Sequence, residues 1–180
     1  MEGGYGRHSY YDDGEIRGRR TTEWYKENLP EFEFVENILD IGSGNGRLNK
    51  ILHSKCKNLY NLEPEIDLHD NFRYDNLIWN KVFFEHFIPP EGVLFDIICL
   101  FGTFYIFKDK STTFRELRKL LKNDGKIVIT DDLNNYDIQD IIDIAKEEKL
   151  YISDRKVIAI KVKPPKILET YYYELKKEGE

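Results

Sequence analysis

Short runs of apolar residues alternate along the chain with segments in which apolar residues recur every three or four positions. The runs predict β-strands, and the recurring segments predict amphipathic helices. The predicted strands cover residues 37–41, 58–62, 77–84, 95–101, 126–130, 153–162 and 170–176. The predicted helices cover residues 21–29, 46–54, 111–121 and 136–149, with a further short one within residues 65–72.

The order of these elements predicts the fold class. Five strands separated by helices, followed by two strands in direct succession, indicate an α/β domain with a mostly parallel sheet and an antiparallel edge. Residues 95–101 form a nearly unbroken apolar run, which is typical of a central parallel strand covered on both faces. A length of 180 residues suits one domain. We predict an arm over residues 1–30, which covers the functional site, and the main domain over residues 31–180.

Composition and charge argue against several classes of function. A formal net charge of -6 argues against a protein that coats nucleic acid through bulk charge. Cys56 and Cys99 have neither metal-binding nor redox spacing, so we predict no metal site and a reducing environment. No apolar stretch is long enough to cross a bilayer. The sequence therefore predicts a cytoplasmic protein with no membrane partner.

The segment NILDIGSGNGRL, residues 37–48, carries the main candidate chemistry. Its glycines at positions 42, 44 and 46 follow a predicted strand and open a predicted helix, a place where backbone N–H groups receive anions. A dinucleotide fingerprint has the spacing GxGxxG, which would place the third small residue at Arg47. Asp40 would also direct a negative charge at the pyrophosphate. A cationic or zwitterionic ligand removes this conflict.

A second carboxylate strengthens this interpretation. Glu63 ends the second predicted strand, in the segment YNLEPE. A carboxylate at this place is positioned to accept hydrogen bonds from ribose hydroxyls. Dinucleotide enzymes use the same arrangement, so only the combination of Glu63 with Asp40 and the glycine spacing favours a different ligand.

Four segments of the chain, in order, resemble those of the class I S-adenosylmethionine-dependent methyltransferase family. VENILDIGSGNGRL is similar to the first motif of the family and NLYNLEPEID to the second. LFDIICLFGTFYIF resembles the fourth-strand motif, and LRKLLKNDGKIVITD resembles the helix and strand that follow it. The resemblance covers roughly residues 35–177. It implies a Rossmann-like, seven-stranded sheet with helices on both faces and an antiparallel terminal hairpin.

The resemblance also implies a cofactor, S-adenosyl-L-methionine, with S-adenosyl-L-homocysteine as its product. This cofactor carries an ammonium, a sulfonium and a carboxylate, and it has no phosphate. Asp40 would then attract the ammonium region, and the N–H groups of the glycine turn would receive the carboxylate. The implied cofactor-binding residues are Asp40, Gly42, Ser43, Gly44, Gly46, Glu63, Pro64, Glu85 and Phe101.

The sequence leaves the methyl acceptor open. The segment after the fourth strand lacks the Asn/Asp-Pro-Pro-Tyr run with which family members hold the amines of bases, and no proline precedes Cys99 as in cytosine C5 enzymes. We therefore predict a small-molecule or protein acceptor, with RNA as the next choice. Candidates for a catalytic role are Tyr105, His86 and Asp131, all predicted to lie at the carboxyl edge of the sheet. A nucleotide-linked oxidoreductase and a noncatalytic, cofactor-binding partner subunit are the alternatives.

The arm is the predicted cover of the site. Tyr11 lies in an aromatic segment similar to one that folds over the cofactor in many relatives. Arg17, Arg19 and Arg20 are candidates for pairing with the cofactor carboxylate or with an anionic substrate such as RNA phosphate.

Overall fold

The computed structural model describes residues 25–27, 29, 31–131, 138–161 and 167–179. Within them, seven strands form one sheet in the order β3-β2-β1-β4-β5-β7-β6. The strands are β1 (Val35–Ile41), β2 (Cys56–Leu62), β3 (Leu77–Asn80), β4 (Phe95–Phe101), β5 (Leu121–Asp131), β6 (Leu150–Lys161) and β7 (Ile167–Lys177). Strands β1 to β5 pair in parallel, and β7 is antiparallel to both β5 and β6. The predicted Rossmann-like sheet with its terminal hairpin is confirmed.

Three α-helices lie wholly within the described residues: α1 (Asn49–Leu52), α2 (Lys110–Leu120) and α3 (Ile138–Glu147). Residues 25–27, within the helix predicted over residues 21–29, are helical as well. Four short 3₁₀ helices span His53–Lys55, Asp70–Phe72, Phe84–His86 and Phe104–Ile106. The connections from β2 to β3 and from β3 to β4 therefore contain a single 3₁₀ turn each. The helix predicted within residues 65–72 is reduced to such a turn.

Each face of the sheet has its own apolar core, because alternate residues of a strand point to opposite faces. The face that carries Leu39 packs against Phe114 of α2 and Ile141 of α3. The face that carries Ile38 packs against α1 and against Tyr25, and we call it the α1 face. Helices therefore cover both faces, as predicted.

Several predicted boundaries are wrong. Strand β5 begins at Leu121 and not at residue 126, so the helix before it ends at Leu120 and not at residue 121. The third strand ends at Asn80 and not at residue 84. Asn80 turns its side-chain amide back onto the carbonyl of Ile78, at 3.2 Å, and Phe84 then packs edge-on against Phe107, with ring centroids 5.8 Å apart. The helix predicted from residue 46 begins only at Asn49, because residues 42–48 are used for a turn.

Several predictions fall on residues outside the described ranges. These include the arm up to residue 24 and the start of the helix predicted over residues 136–149. In the part of the chain that the structure describes, no helix is long and apolar enough to cross a membrane. In the same part, no three or more His, Cys, Asp or Glu side chains form a group that would hold a metal ion.

Candidate functional site

The turn after β1 is tied to the end of β2. The backbone N–H groups of Gly42 and Ser43 both donate to the carbonyl of Leu62, at 2.8 and 3.3 Å. Gly42, Gly44 and Gly46 all have positive φ angles, at +72°, +58° and +85°. Residues that carry a side chain rarely adopt positive φ angles, so the chain needs glycine to turn so sharply here.

The three glycines of this turn have different surroundings. A Cβ atom on Gly42 would lie 2.4 Å from the side chain of Thr103, in the loop after β4. A Cβ atom on Gly46 would lie 2.6 Å from Leu68, in the loop after β2. Gly44 has nothing within 4 Å on that side. Gly42 and Gly46 therefore permit close packing between loops, and Gly44 is the one that leaves room for a ligand beside the main chain.

Asp40 is a buried carboxyl directly before the turn. Its side chain lies on the α1 face and is 1% exposed. No hydrogen-bond partner of its Oδ2 atom is present in the described part of the chain. Burial, and then the negative charge of Glu63, raise the pKa of Asp40 to about 7. A buried, unpartnered carboxylate is costly, and a positively charged group would stabilise it.

Glu63 immediately follows β2 and is also buried. Its Oε2 accepts a hydrogen bond from the N–H of Gly44 at 3.0 Å. Its Oε1 accepts from the N–H groups of Glu65 and Ile66, at 2.9 and 3.1 Å. An ionised carboxylate offers about four acceptor positions, so about one remains for a ligand hydroxyl while these bonds persist.

The amides of the turn already donate to acceptors of the protein. Besides Gly42, Ser43 and Gly44, the N–H of Gly46 donates to the carbonyl of Ser43 at 3.1 Å. A ligand carboxylate at this turn would have to compete with these bonds. The cation site at Asp40 and the carboxylate site at the turn both stay predictions.

The structure brings Asp40, the glycine turn and Glu63 together, with Pro64 next to Glu63. The Oγ of Ser43 is buried and has no partner among the described atoms. Phe101 lies in the core of the α1 face, with its ring 5.4 Å from that of Tyr25.

The other predicted residues are placed elsewhere. Glu85 and His86 do not follow the third strand directly, as predicted, but lie exposed in a 3₁₀ helix that begins four residues after its end. Tyr105 is 41% exposed in the 3₁₀ helix after β4. Asp131 is the last residue of β5, and its side chain lies outside the described set. Tyr11, Arg17, Arg19 and Arg20 also fall on residues that are not described.

Three polar residues at this edge, Asn49, Asn61 and Thr103, are not among the residues predicted for the site. Asn61 of β2 is fully buried beside Asp40, and its Nδ2 donates to Oδ1 of Asn49 in α1 at 2.8 Å. Thr103 packs on Gly42. The available signal for Asn61 was an asparagine at an inward position of an apolar strand, two residues before Glu63. Thr103 carried no comparable signal.

A comparison with family models matches residues 14–160 to a methyltransferase domain. The chain belongs to this family of methyltransferase domains. The match confirms the class of enzyme predicted from the sequence, an S-adenosylmethionine-dependent methyltransferase. The nucleotide-linked oxidoreductase is no longer an alternative. No match to this methyltransferase is found among curated proteins.

Solved structures share the fold of this methyltransferase at low sequence identity. The N-methyltransferase NodS from Bradyrhizobium japonicum WM9, in complex with S-adenosyl-L-homocysteine, superposes with a TM-score of 0.60 and 19% identity, over 78% of each chain. A methyltransferase candidate from Bacillus halodurans C-125 gives 0.66 and 11%, over 85% of this chain and 97% of its own. The YcgJ protein from Bacillus subtilis gives 0.64 and 13%, over 88% and 99%.

Proposed function

We propose that this methyltransferase holds S-adenosylmethionine between the glycine turn and Glu63 and passes the methyl group to a small-molecule or protein acceptor. The observation that carries the proposal is the buried Asp40 carboxyl, whose Oδ2 has no partner among the described residues. It lies close enough to Glu63 for the two charges to interact. A ligand with a positive head group stabilises two neighbouring carboxylates, whereas a diphosphate adds to their repulsion.

The proposed roles follow from the geometry of each residue. Asp40 attracts the ammonium region of the cofactor, directly or through water. Glu63 accepts a hydrogen bond from the ribose, and Gly44 leaves space for the ligand beside the main chain. The bound cofactor supplies a methyl group that its sulfonium has already activated. The chain then mainly has to align the acceptor and exclude water.

On the acceptor side, Tyr105 is the best supported of the three candidates. It lies two residues after Thr103, which contacts the glycine turn, and its side chain is partly exposed at the same edge of the sheet. Tyr105 can therefore contact an acceptor next to the cofactor. His86 and Asp131 stay predictions, as does a cover formed by the arm with Tyr11, Arg17, Arg19 and Arg20.

The proposal has two alternatives, an RNA acceptor and a noncatalytic role, and it includes a predicted cellular location of the protein. RNA stays the second choice of acceptor because of the arginines at positions 17, 19 and 20. A noncatalytic partner subunit would keep Asp40 and Glu63 for cofactor binding without transfer. A cytoplasmic location stays a prediction from cysteine usage.

The test combines binding with transfer. S-Adenosylhomocysteine and NADH are titrated into the protein by calorimetry, and S-adenosylmethionine with a labelled methyl group is then incubated with pools of small metabolites, proteins or RNA. We expect binding of S-adenosylhomocysteine alone and label in the small-molecule or protein pool. Label in RNA would establish the second choice, and binding without transfer would favour the noncatalytic subunit. Absence of S-adenosylhomocysteine binding would contradict the proposal.

A further inference from the structure

Two buried acceptor atoms lie side by side at the carboxyl end of the sheet. Asp40 of β1 and Asn61 of β2 are direct partners in the parallel register, so their side chains leave the same face of strands about 5 Å apart. Both residues are at most 1% exposed. Neither Oδ2 of Asp40 nor Oδ1 of Asn61 has a hydrogen-bond partner in the described part of the chain.

The orientation of the Asn61 amide is fixed by its other neighbours. The Nδ2 of Asn49 donates to the carbonyl of Phe72 at 3.1 Å, and a carbonyl accepts only. The Oδ1 of Asn49 must therefore face Asn61, whose Nδ2 donates to it at 2.8 Å. Turning the Asn61 amide over would set two oxygens against each other. Its Oδ1 is thus held as an acceptor that needs a donor.

We propose that Asp40 is a neutral carboxylic acid in the cofactor-free protein, that Asn61 positions its proton, and that cofactor binding releases this proton to solvent. The inference rests on the proposed function, because the cofactor is what replaces the proton. A single proton on Asp40 supplies the donor that both orphaned acceptors lack. The cofactor arrives with its ammonium already protonated, so it takes up no proton from Asp40. The O–H bond of Asp40 therefore breaks on binding, and the proton passes to the buffer.

The surroundings of Asp40 favour its neutral form. Its burial, and then the negative charge of Glu63, raise the pKa of Asp40 to about 7. Glu63 itself already accepts three backbone N–H bonds. No lysine or arginine in the described part of the chain forms an ion pair with Asp40, and Lys126, on the same face, is paired with Glu174 at 3.0 Å. The other titratable groups in the described core of this face are Cys99, opposite Asp40 on β4, and Cys56, Tyr25 and Tyr172.

The direct test measures proton release by the wild-type protein. S-Adenosylhomocysteine is titrated calorimetrically in phosphate and in Tris, whose ionisation enthalpies differ, at pH 6 and pH 8. With a pKa of about 7, we expect release of about 0.9 proton per site at pH 6 and about 0.1 at pH 8. Binding without any difference between the buffers at pH 6 would overturn the inference and leave the proposed function standing. Absence of binding in every condition would overturn both.

Substitutions test which residues hold the proton that cofactor binding releases. Asn61→Ala removes the acceptor, so we expect clearly less proton release at pH 6 than in wild type. Asn58→Ala is the matched control, because this asparagine of the same strand donates to Asn37 near the start of β1. Equal proton release by both variants would refute the role of Asn61. Glu63→Gln removes the charge that adds to the effect of burial on the pKa of Asp40, so we expect reduced but not abolished release. Complete loss of release would place the proton on Glu63.

The pH dependence of thermal stability, measured without ligand, tests the same inference. A carboxyl whose pKa is about 7 in the folded protein, against 3.8 ordinarily, lowers stability as the pH rises from about 4 to 7, and not further above. The Asp40→Asn variant has no such group, and its amide can donate to Asn61. We expect its thermal midpoint, relative to wild type, to rise between pH 4 and pH 7. A constant difference would contradict the inference. Should the variant not fold, loss of the protonated-carboxyl infrared band of wild type on adding S-adenosylhomocysteine decides instead, and absence of that band before addition overturns the inference.

Discussion

At the scale of single residues, the site depends on two buried carboxyl groups with different surroundings. Asp40 has an oxygen without a partner in the described residues, whereas Glu63 accepts three backbone hydrogen bonds. Burial removes water from both carboxyl groups, but only Glu63 has backbone N–H donors that replace the lost hydrogen bonds. We therefore interpret Glu63 as the residue that holds the glycine turn in place and Asp40 as the residue that becomes charged when a positively charged ligand binds.

Glu63 gives the first prediction. The Glu63→Gln substitution keeps the shape of the side chain but removes its charge and one acceptor oxygen. We expect the binding of S-adenosylhomocysteine to weaken by about 1–3 kcal/mol, because a ribose hydroxyl and the N–H of Gly44 lose their best acceptor. Isothermal titration measures this, with Glu65→Gln, an exposed neighbour, as the control. Equal affinities of the two variants would refute the role of Glu63.

The glycines of the turn give the second prediction. Gly42→Ala places a Cβ atom against Thr103 at a positive φ angle, and we expect a loss of stability of roughly 2–5 kcal/mol from strain and overpacking. Gly44→Ala meets no neighbour, so about 1–2 kcal/mol of backbone strain is expected. Its affinity for S-adenosylhomocysteine should fall, because the methyl group projects into the space for the ligand. Urea unfolding and titration check both, and equal stabilities would contradict these packing roles.

At the scale of elements, the apolar pattern of the sequence correctly predicted the strand that is covered by the core on both faces. Strand β4 begins and ends at the predicted residues, because Phe95–Phe101 is apolar on both faces. The end of β3 was missed, because apolar residues recur up to Phe84, which lies in the following loop and packs on Phe107. Apolar character alone does not distinguish a strand from a loop that covers the core.

The site was predictable where the chemistry is local in sequence. Asp40, the glycines and Glu63 are recognised within two short segments. The partnership of Asp40 with Asn61 depends on the register of β1 against β2, and the contact of Thr103 with Gly42 joins residues 61 positions apart. Such contacts follow from the tertiary structure and leave little trace in a single sequence.

The loop after β4 gives the third prediction. Lys110, at the start of α2, is buried, and its Nζ donates to the carbonyls of Phe104 and Phe107. Lys110→Met leaves both carbonyls without this donor, so we expect a loss of about 1–3 kcal/mol in unfolding free energy. We also expect slower methyl transfer, because the segment that carries Tyr105 is released.

The control is Lys119→Met on the same helix, whose pair with Glu116 is exposed and should contribute about 0–1 kcal/mol. Urea unfolding compares the two variants. A Lys110 variant as stable as the Lys119 variant would show that the buried ammonium does not hold this loop.

At the scale of the whole molecule, the described apolar core and the proposed cover come from different parts of the chain. Both described core clusters consist of residues from Tyr25 onward. The proposed cover, with its arginines, precedes them in the sequence. The overall charge of -6 leaves these arginines as a local basic segment in an acidic protein.

Removal of the arm gives the fourth prediction. A chain without residues 1–20 should keep its circular dichroism spectrum. Turnover should fall about tenfold or more, because water exclusion and acceptor alignment are lost. Replacing Arg17, Arg19 and Arg20 by alanine in the intact chain separates their charge from the cover. Unfolding of the shortened chain would instead give the arm a structural role.

We propose that Asp40, Gly44 and Glu63 together bind a ligand with a positively charged head group. A crystal structure of the full chain with S-adenosylhomocysteine tests it most directly. The account predicts the amino group of the ligand on the Asp40 carboxyl, directly or through one water, and a ribose hydroxyl on Glu63. A ligand bound elsewhere, or a phosphorylated coenzyme at these residues with Asp40 turned away, would contradict it.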